Sequence, residues 1–125
     1  MTTQEVATEM VALCRAGKWE ECIQKFYSPD IKSIEPEGAT WGTVQGFDAI
    51  AKKGQEWQEM VAEFHSSEIS DPIVAENFFS ITMKSKVTMK GLDQPINMDK
   101  VCVYEVSDGK VVKEQFFYTP MPALA

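Results

Sequence analysis

The chain has few of the residues that build metal and disulfide sites. It carries one histidine, His65, and three cysteines, Cys14, Cys22 and Cys102, with no Cys-x-x-Cys spacing. An odd set of that kind suits neither a disulfide framework nor a zinc site, and catalytic zinc usually takes more than one imidazole. Free thiols, no metal and no cofactor are the expectation. Long apolar runs are missing as well: the longest, Met10 to Cys14, spans five residues, against the ~18 that suggest a membrane span. The N-terminus shows no basic stretch leading into an apolar one, so a cleaved signal is not expected and a cytoplasmic protein without membrane contact is. Basic residues are scarce, with 12 Lys and Arg against 19 Asp and Glu and a net charge of −7. They are scattered, whereas a polyanion needs a basic patch, so nucleic acid is not an expected partner.

What is present suffices for one domain over residues 1–125. Hydrophobic residues make up 44% and charged residues 25%, which excludes a disordered or fibrous chain and supplies a core. Val6, Met10 and Leu13, with Val11 and Cys14 beside them, recur at helical spacing up to Gly17. Trp19, Cys22, Ile23 and Phe26 repeat the pattern until Ser28-Pro29-Asp30, because the residue before a proline avoids helical geometry. Ile31 to Ile34 alternates as a short strand ending at Glu35, stopped by Pro36 and Gly38. A third helix follows the stripe Phe47, Ile50, Trp57, Met60, Val61 and Phe64, with Gly54 inside it.

Everything after Phe64 reads as strand. His65 to Ile69 alternates weakly, Phe78 to Met89 alternates over a long run, and Ile96 to Val106 is rich in β-branched and aromatic residues. Asn77, Gly91 and Ser107-Asp108-Gly109 mark turns, and Lys110 to Tyr118 returns as the last strand before Pro120 and Pro122. Two registers suit that last hairpin. A two-residue Asp108-Gly109 turn pairs Asp99 with Tyr118 and Val101 with Phe116. A three-residue loop with a bulge at Gly109 sets Cys102 opposite Glu114, and brings Tyr104 rather than Asp99 inward; the turn string favours it. Helices first and strands afterwards make an α+β arrangement: a strongly bent antiparallel sheet with three helices packed on one face.

The order of elements, with Arg15-Ala16-Gly17, Phe26-Tyr27-Ser28-Pro29-Asp30-Ile31 through Ile34-Glu35-Pro36, Gly46-Phe47-Asp48-Ala49-Ile50 and Val106-Ser107-Asp108-Gly109-Lys110-Val111-Val112, resembles a known superfamily. It is similar to the nuclear transport factor 2-like superfamily, the cystatin-like cone of ketosteroid isomerase and SnoaL-like polyketide cyclases. The resemblance implies the cone fold and a homodimer formed through the sheet. It also implies a proton-carrying carboxylate at the end of the first strand, a position that Glu35 matches. The isomerases' oxyanion tyrosine would fall near Met10 and their acid partner on Val101 or Cys102, none of which replaces it well. Ketosteroid isomerase activity in its known form is therefore not expected, and the superfamily hosts too many reactions for the fold to settle one.

Glu35 is accordingly the candidate general base, since a carboxylate in an apolar pocket is a stronger base than one in water. Tyr118, Tyr104 or His65 is the candidate proton donor. Lys53, one turn after Ile50, either turns toward Glu35 or is a solvated helix lysine. Trp41 and Trp57 wall a pocket or fill core, with Trp57 placed toward core by the apolar stripe. Met83, Cys102, Tyr104, Glu114 and Phe116 complete the candidate lining. Three classes stay open: a cofactor-free isomerase, cyclase or lyase acting on a small apolar carbonyl compound, a non-catalytic binder of a small apolar ligand, and a dimerisation module. Phe78 or Phe79, Val101, Val103 or Tyr104, and Phe116 or Phe117 supply an apolar sheet face for a second copy.

Overall fold

Thr2 opens the first helix, α1 (Thr3–Arg15), with a reciprocal cap: the Glu5 amide donates to Thr2 Oγ1 at 3.1 Å and the Thr2 amide to Glu5 Oε1 at 2.9 Å. The computed structural model describes residues 1–120, so Pro122 lies outside the described residues. Val6, Ala7, Met10, Val11 and Cys14 form the buried stripe of α1, and Gly17, at φ +74°, turns the chain where a side chain would be strained. The second helix, α2 (Trp19–Phe26), buries Cys22 and Phe26.

The first strand, β1 (Tyr27–Ile34), follows without a loop. It begins four residues earlier than the alternation suggested. Pro29 cannot donate to a ladder, and the pairing accommodates it with a register shift between Tyr27 and Lys32. A connection through Trp41 leads to the short β2 (Val44–Gln45) and then to α3 (Phe47–Met60). The expected continuation of α3 to Phe64 is overturned. Val61 already starts β3 (Val61–Ile69) by pairing with Met89, and Phe64 is left 56% exposed on that strand. Met60, Val61 and Phe64 keep a helical period, but strand pairing outweighs it. The short β4 (Ile73–Ala75), then β5 (Phe78–Met89), β6 (Ile96–Ser107) and β7 (Lys110–Phe117) complete the chain.

The sheet runs β2-β1-β7-β6-β5-β3, with β4 paired to β5. It is mixed rather than wholly antiparallel, because β1 and β7 lie parallel. Residues 35–109 intervene between them, which gives the long crossover a parallel pair requires. Alternation sorts the faces. Phe79, Ile81, Met83, Cys102, Tyr104, Val106, Val111 and Phe116 point into one core with α1 and α2, and Phe79 stacks on Tyr104 at 4.8 Å.

Neither register proposed for the β6–β7 hairpin is the one formed. Asp108 and Gly109, at φ +50° and +75°, make a two-residue turn closed by Ser107 and Lys110. A bulge then leaves Val112 without a partner between the Val106–Val111 and Glu105–Lys113 pairs. That extra residue sets Tyr104 opposite Glu114 and Cys102 opposite Phe116. The inward-facing residues are thus those of the bulged alternative, reached through a different turn.

Candidate active site

Period two along β1 carries the inner face from Ile31 to Ser33, both fully buried, and then to Glu35 just past the strand end. The parallel register sets Ser33 beside Glu114 of β7. Glu114 is buried, and its carboxylate accepts two hydroxyls, Ser33 Oγ at 2.8 Å and the Tyr27 phenol through a short hydrogen bond. Burial, then Glu114, raises the Tyr27 pKa well above that of an ordinary phenol.

Above this pair stands Glu35, its side chain 7% exposed. Tyr118 OH donates to its Oε2 at 2.7 Å, and Lys53 Nζ approaches its Oε1 at 3.1 Å. Lys53 also donates to Ser33 Oγ at 2.6 Å. The donors therefore run in one direction: Lys53 to Ser33, Ser33 to Glu114. Lys53 comes from α3, which packs on β1, and its side chain is 12% exposed. Burial first, then the bond to Glu35, raises the Tyr118 pKa.

Trp57 lies one turn beyond Lys53 on the same helix face. Trp41 meets it edge-on at 6.4 Å and donates Nε1–H to Glu56 Oε2 at 2.7 Å. Phe116 receives two ammonium groups on its ring, Lys53 at 5.3 Å and Lys100 at 4.3 Å from the centroid. Met83, buried, pairs with Lys100 across the sheet. Deeper still are Cys102 and Tyr104. Burial pushes the Cys102 thiol up to about 11, with Lys100 and a hydrogen bond from Tyr104 working against that rise. Burial likewise raises Tyr104.

The residues singled out by sequence fall into three groups. Glu35, Lys53, Tyr118, Glu114 and Phe116 come together, with Trp41 and Trp57 alongside. Met83, Cys102 and Tyr104 line the apolar interior beneath. His65 stands elsewhere, on β3 at the end of the sheet away from β1, with Nε2 2.7 Å from Thr88 Oγ1 and Nδ1 3.9 Å from Glu63. Trp57 is only partly buried rather than core. Sequence reading missed Ser33, Tyr27 and Lys100. Alternation carried signals for two of them: stepping by two from Ile31 reaches Ser33 before Glu35, and stepping back by two from Cys102 reaches Lys100. All three cysteines are buried free thiols. Among the described residues no group of three or more His, Cys, Asp or Glu could hold a metal ion, and no helix is long and apolar enough to cross a membrane.

Residues 1–118 match the SnoaL-like domain family, and the chain belongs to it. A solved structure from Mesorhizobium loti, provisionally named a SnoaL-like polyketide cyclase with carbohydrate phosphatase given alongside, is 31% identical. It superposes with a TM-score of 0.88 over 94% of this chain and 100% of that one. A nuclear transport factor 2-like protein of unknown function from Burkholderia pseudomallei shares the fold at 15% identity, TM-score 0.77, over 95% and 92% of the two chains. So does TerC, crystallised with polyporic acid, at 16% identity, TM-score 0.74, over 94% and 91%. No curated protein matches the chain.

Proposed function

We propose that the protein is a cofactor-free enzyme that moves a proton at a carbon α to a carbonyl, an isomerase, cyclase or lyase in type, with Glu35 as general base. The observation that carries this reading is the geometry around Glu35. A nearly buried carboxylate has one oxygen on Tyr118 at 2.7 Å and the other on Lys53 at 3.1 Å. A carboxylate offers about four acceptor sites, so two stay open for a substrate proton. Lys53 has three N–H groups and spends two on Glu35 and Ser33. The third is a donor for a developing oxyanion, a role that neither Met10 nor Cys102 can take.

In this mechanism Glu35 removes the α proton. The C–H electron pair forms the new carbon–carbon double bond, and the carbonyl pair moves onto oxygen as an enolate held by Lys53. Where the substrate carries a β,γ double bond the enolate is a dienolate, and returning the proton from Glu35 to its γ carbon shifts that double bond into conjugation and completes an isomerisation. Attack of the enolate carbon on a second carbonyl instead closes a ring, and the proton on Glu35 passes to the new alkoxide. Tyr118 keeps the carboxylate oriented throughout. Trp57, one turn beyond Lys53, and Trp41, edge-on to it, offer aromatic surface for such a substrate. The cyclase naming of the Mesorhizobium loti relative and the co-crystallisation of TerC with polyporic acid support a small organic ligand for a fold of this kind.

The test needs no known substrate. Deuterium uptake from solvent at the α position of a panel of aryl ketones and β-diketones is followed by proton NMR. The wild type accelerates exchange with at least one of them, and Glu35→Gln lowers that rate by about a hundredfold or more while keeping the fold. Unchanged exchange in Glu35→Gln would leave a ligand-binding protein as the better reading.

A further inference from the structure

Lys53 has a carboxylate partner, but Lys100 has none among the described residues. Five ion pairs are formed among the described residues, and Lys100 takes part in none of them. Its ammonium rests on the Phe116 ring, 4.3 Å from the centroid, half-buried on the inner face of β6. In a chain of net charge −7 a cation without an anion, turned inward onto an aromatic floor, is unusual, because such ammonium groups are ordinarily solvated or paired. The same ring carries Lys53. Lys100 also acts on its surroundings as a charge, since it opposes the rise of the Cys102 pKa.

We infer that Lys100 is a specificity residue that receives the acidic group, a carboxylate or ionised enol, of a planar substrate bound at the Glu35 site, since Lys100 and Lys53 share the Phe116 ring. This rests on the same site as the reading above and sharpens its substrate class from a neutral carbonyl compound to an organic anion. The chemistry is consistent with proton abstraction by Glu35. An anionic end anchored on Lys100 leaves the remaining Lys53 N–H to the reacting carbonyl, so the two charges of the substrate's enolate form are met by separate cations.

The experiment is binding of a matched probe pair, naphthoate and naphthamide, followed by tryptophan fluorescence and calorimetry. Wild type should bind the carboxylate about tenfold more tightly than the amide, as expected of one charge-assisted contact. Lys100→Gln should abolish the preference while leaving amide binding in place, and Lys100→Arg should retain it. Equal affinity for the two probes, a preference that survives Lys100→Gln, or no binding of either would overturn the inference. Glu35→Gln separates the two proposals. It should keep the carboxylate preference even though it stops α-proton exchange, so loss of one result does not entail loss of the other.

Discussion

The two faces of the sheet obey opposite rules. On the inner face the fully buried side-chain polar atoms among the described residues are all bound, Glu114 by Tyr27 and Ser33, Ser33 also by Lys53, Glu35 by Lys53 and Tyr118, and half-buried Lys100 stands apart from that network. On the outer face apolar side chains stand open. Phe78, Val101 and Phe117 are each more than two-fifths exposed, and Val101 and Phe117 are register partners. The inner face has thus taken on buried polarity, which costs stability unless satisfied, and the outer face bare hydrophobic area, which costs solubility unless covered. The first arrangement suits chemistry in a dry interior, and the second suits a partner.

The largest effect expected on the inner face is at Glu114. Glu114→Leu leaves the Tyr27 and Ser33 hydroxyls without their acceptor, at about 1–3 kcal/mol each, so a loss of about 3 kcal/mol is expected from urea unfolding. Glu114→Gln keeps a carbonyl acceptor and should lose less. A leucine variant as stable as wild type would mean that the network adds nothing, and the contrast between the faces would fail.

How much of this was readable in advance depended on range. Helix α1 and, to within one residue, the end of β1 follow from neighbouring residues, and the alternation that sorts β5 and β6 into faces is equally local, whereas the turn string favoured a three-residue loop where Asp108 and Gly109 make a two-residue turn. The Ser33–Glu114 contact is not, because it needs the parallel β1–β7 register across a shift at Pro29. The bulge at Val112 likewise depends on what the strands must bury, since it keeps Glu114 and Phe116 inward after a two-residue turn. Phe64 shows the converse failure. Its helical spacing was present in the sequence, but β5 claimed that segment as a strand. For His65, being the only histidine suggested chemistry, yet topology puts it on β3, away from Glu35.

The second prediction concerns alkali. Tyr27, Tyr104 and Cys102 all have raised pKa values in the fold, chiefly because burial disfavours the charged form. The folded state therefore holds protons that the unfolded chain releases, so stability is full below the unfolded values and is lost as pH rises through the folded ones. For Cys102 that window runs from 9.0 to about 11. The urea midpoint should be flat up to pH 9 and fall above it, and Cys102→Ala should make the early fall shallower, the remainder belonging to Cys14, whose thiol is also raised. A midpoint constant across that window would show an inner face open to water.

The smallest expected effect on folding belongs to the outer face, where the resemblance and the exposed patch both point to a homodimer. Phe117→Glu puts a charge beside Val101 without disturbing any inner-face contact. In dilute solution, where assembly contributes nothing, its urea midpoint should match wild type to within about 0.5 kcal/mol, as surface changes usually do. At micromolar concentration the two should part. Sedimentation of wild type should show a dimer and Phe117→Glu a monomer, because burying an unpaired carboxylate at the centre of an apolar contact costs more than such an interface recovers. A wild-type monomer under those conditions would remove the partner from the outer face and leave its apolar residues without an account, whereas a Phe117→Glu dimer would move the interface elsewhere on the chain.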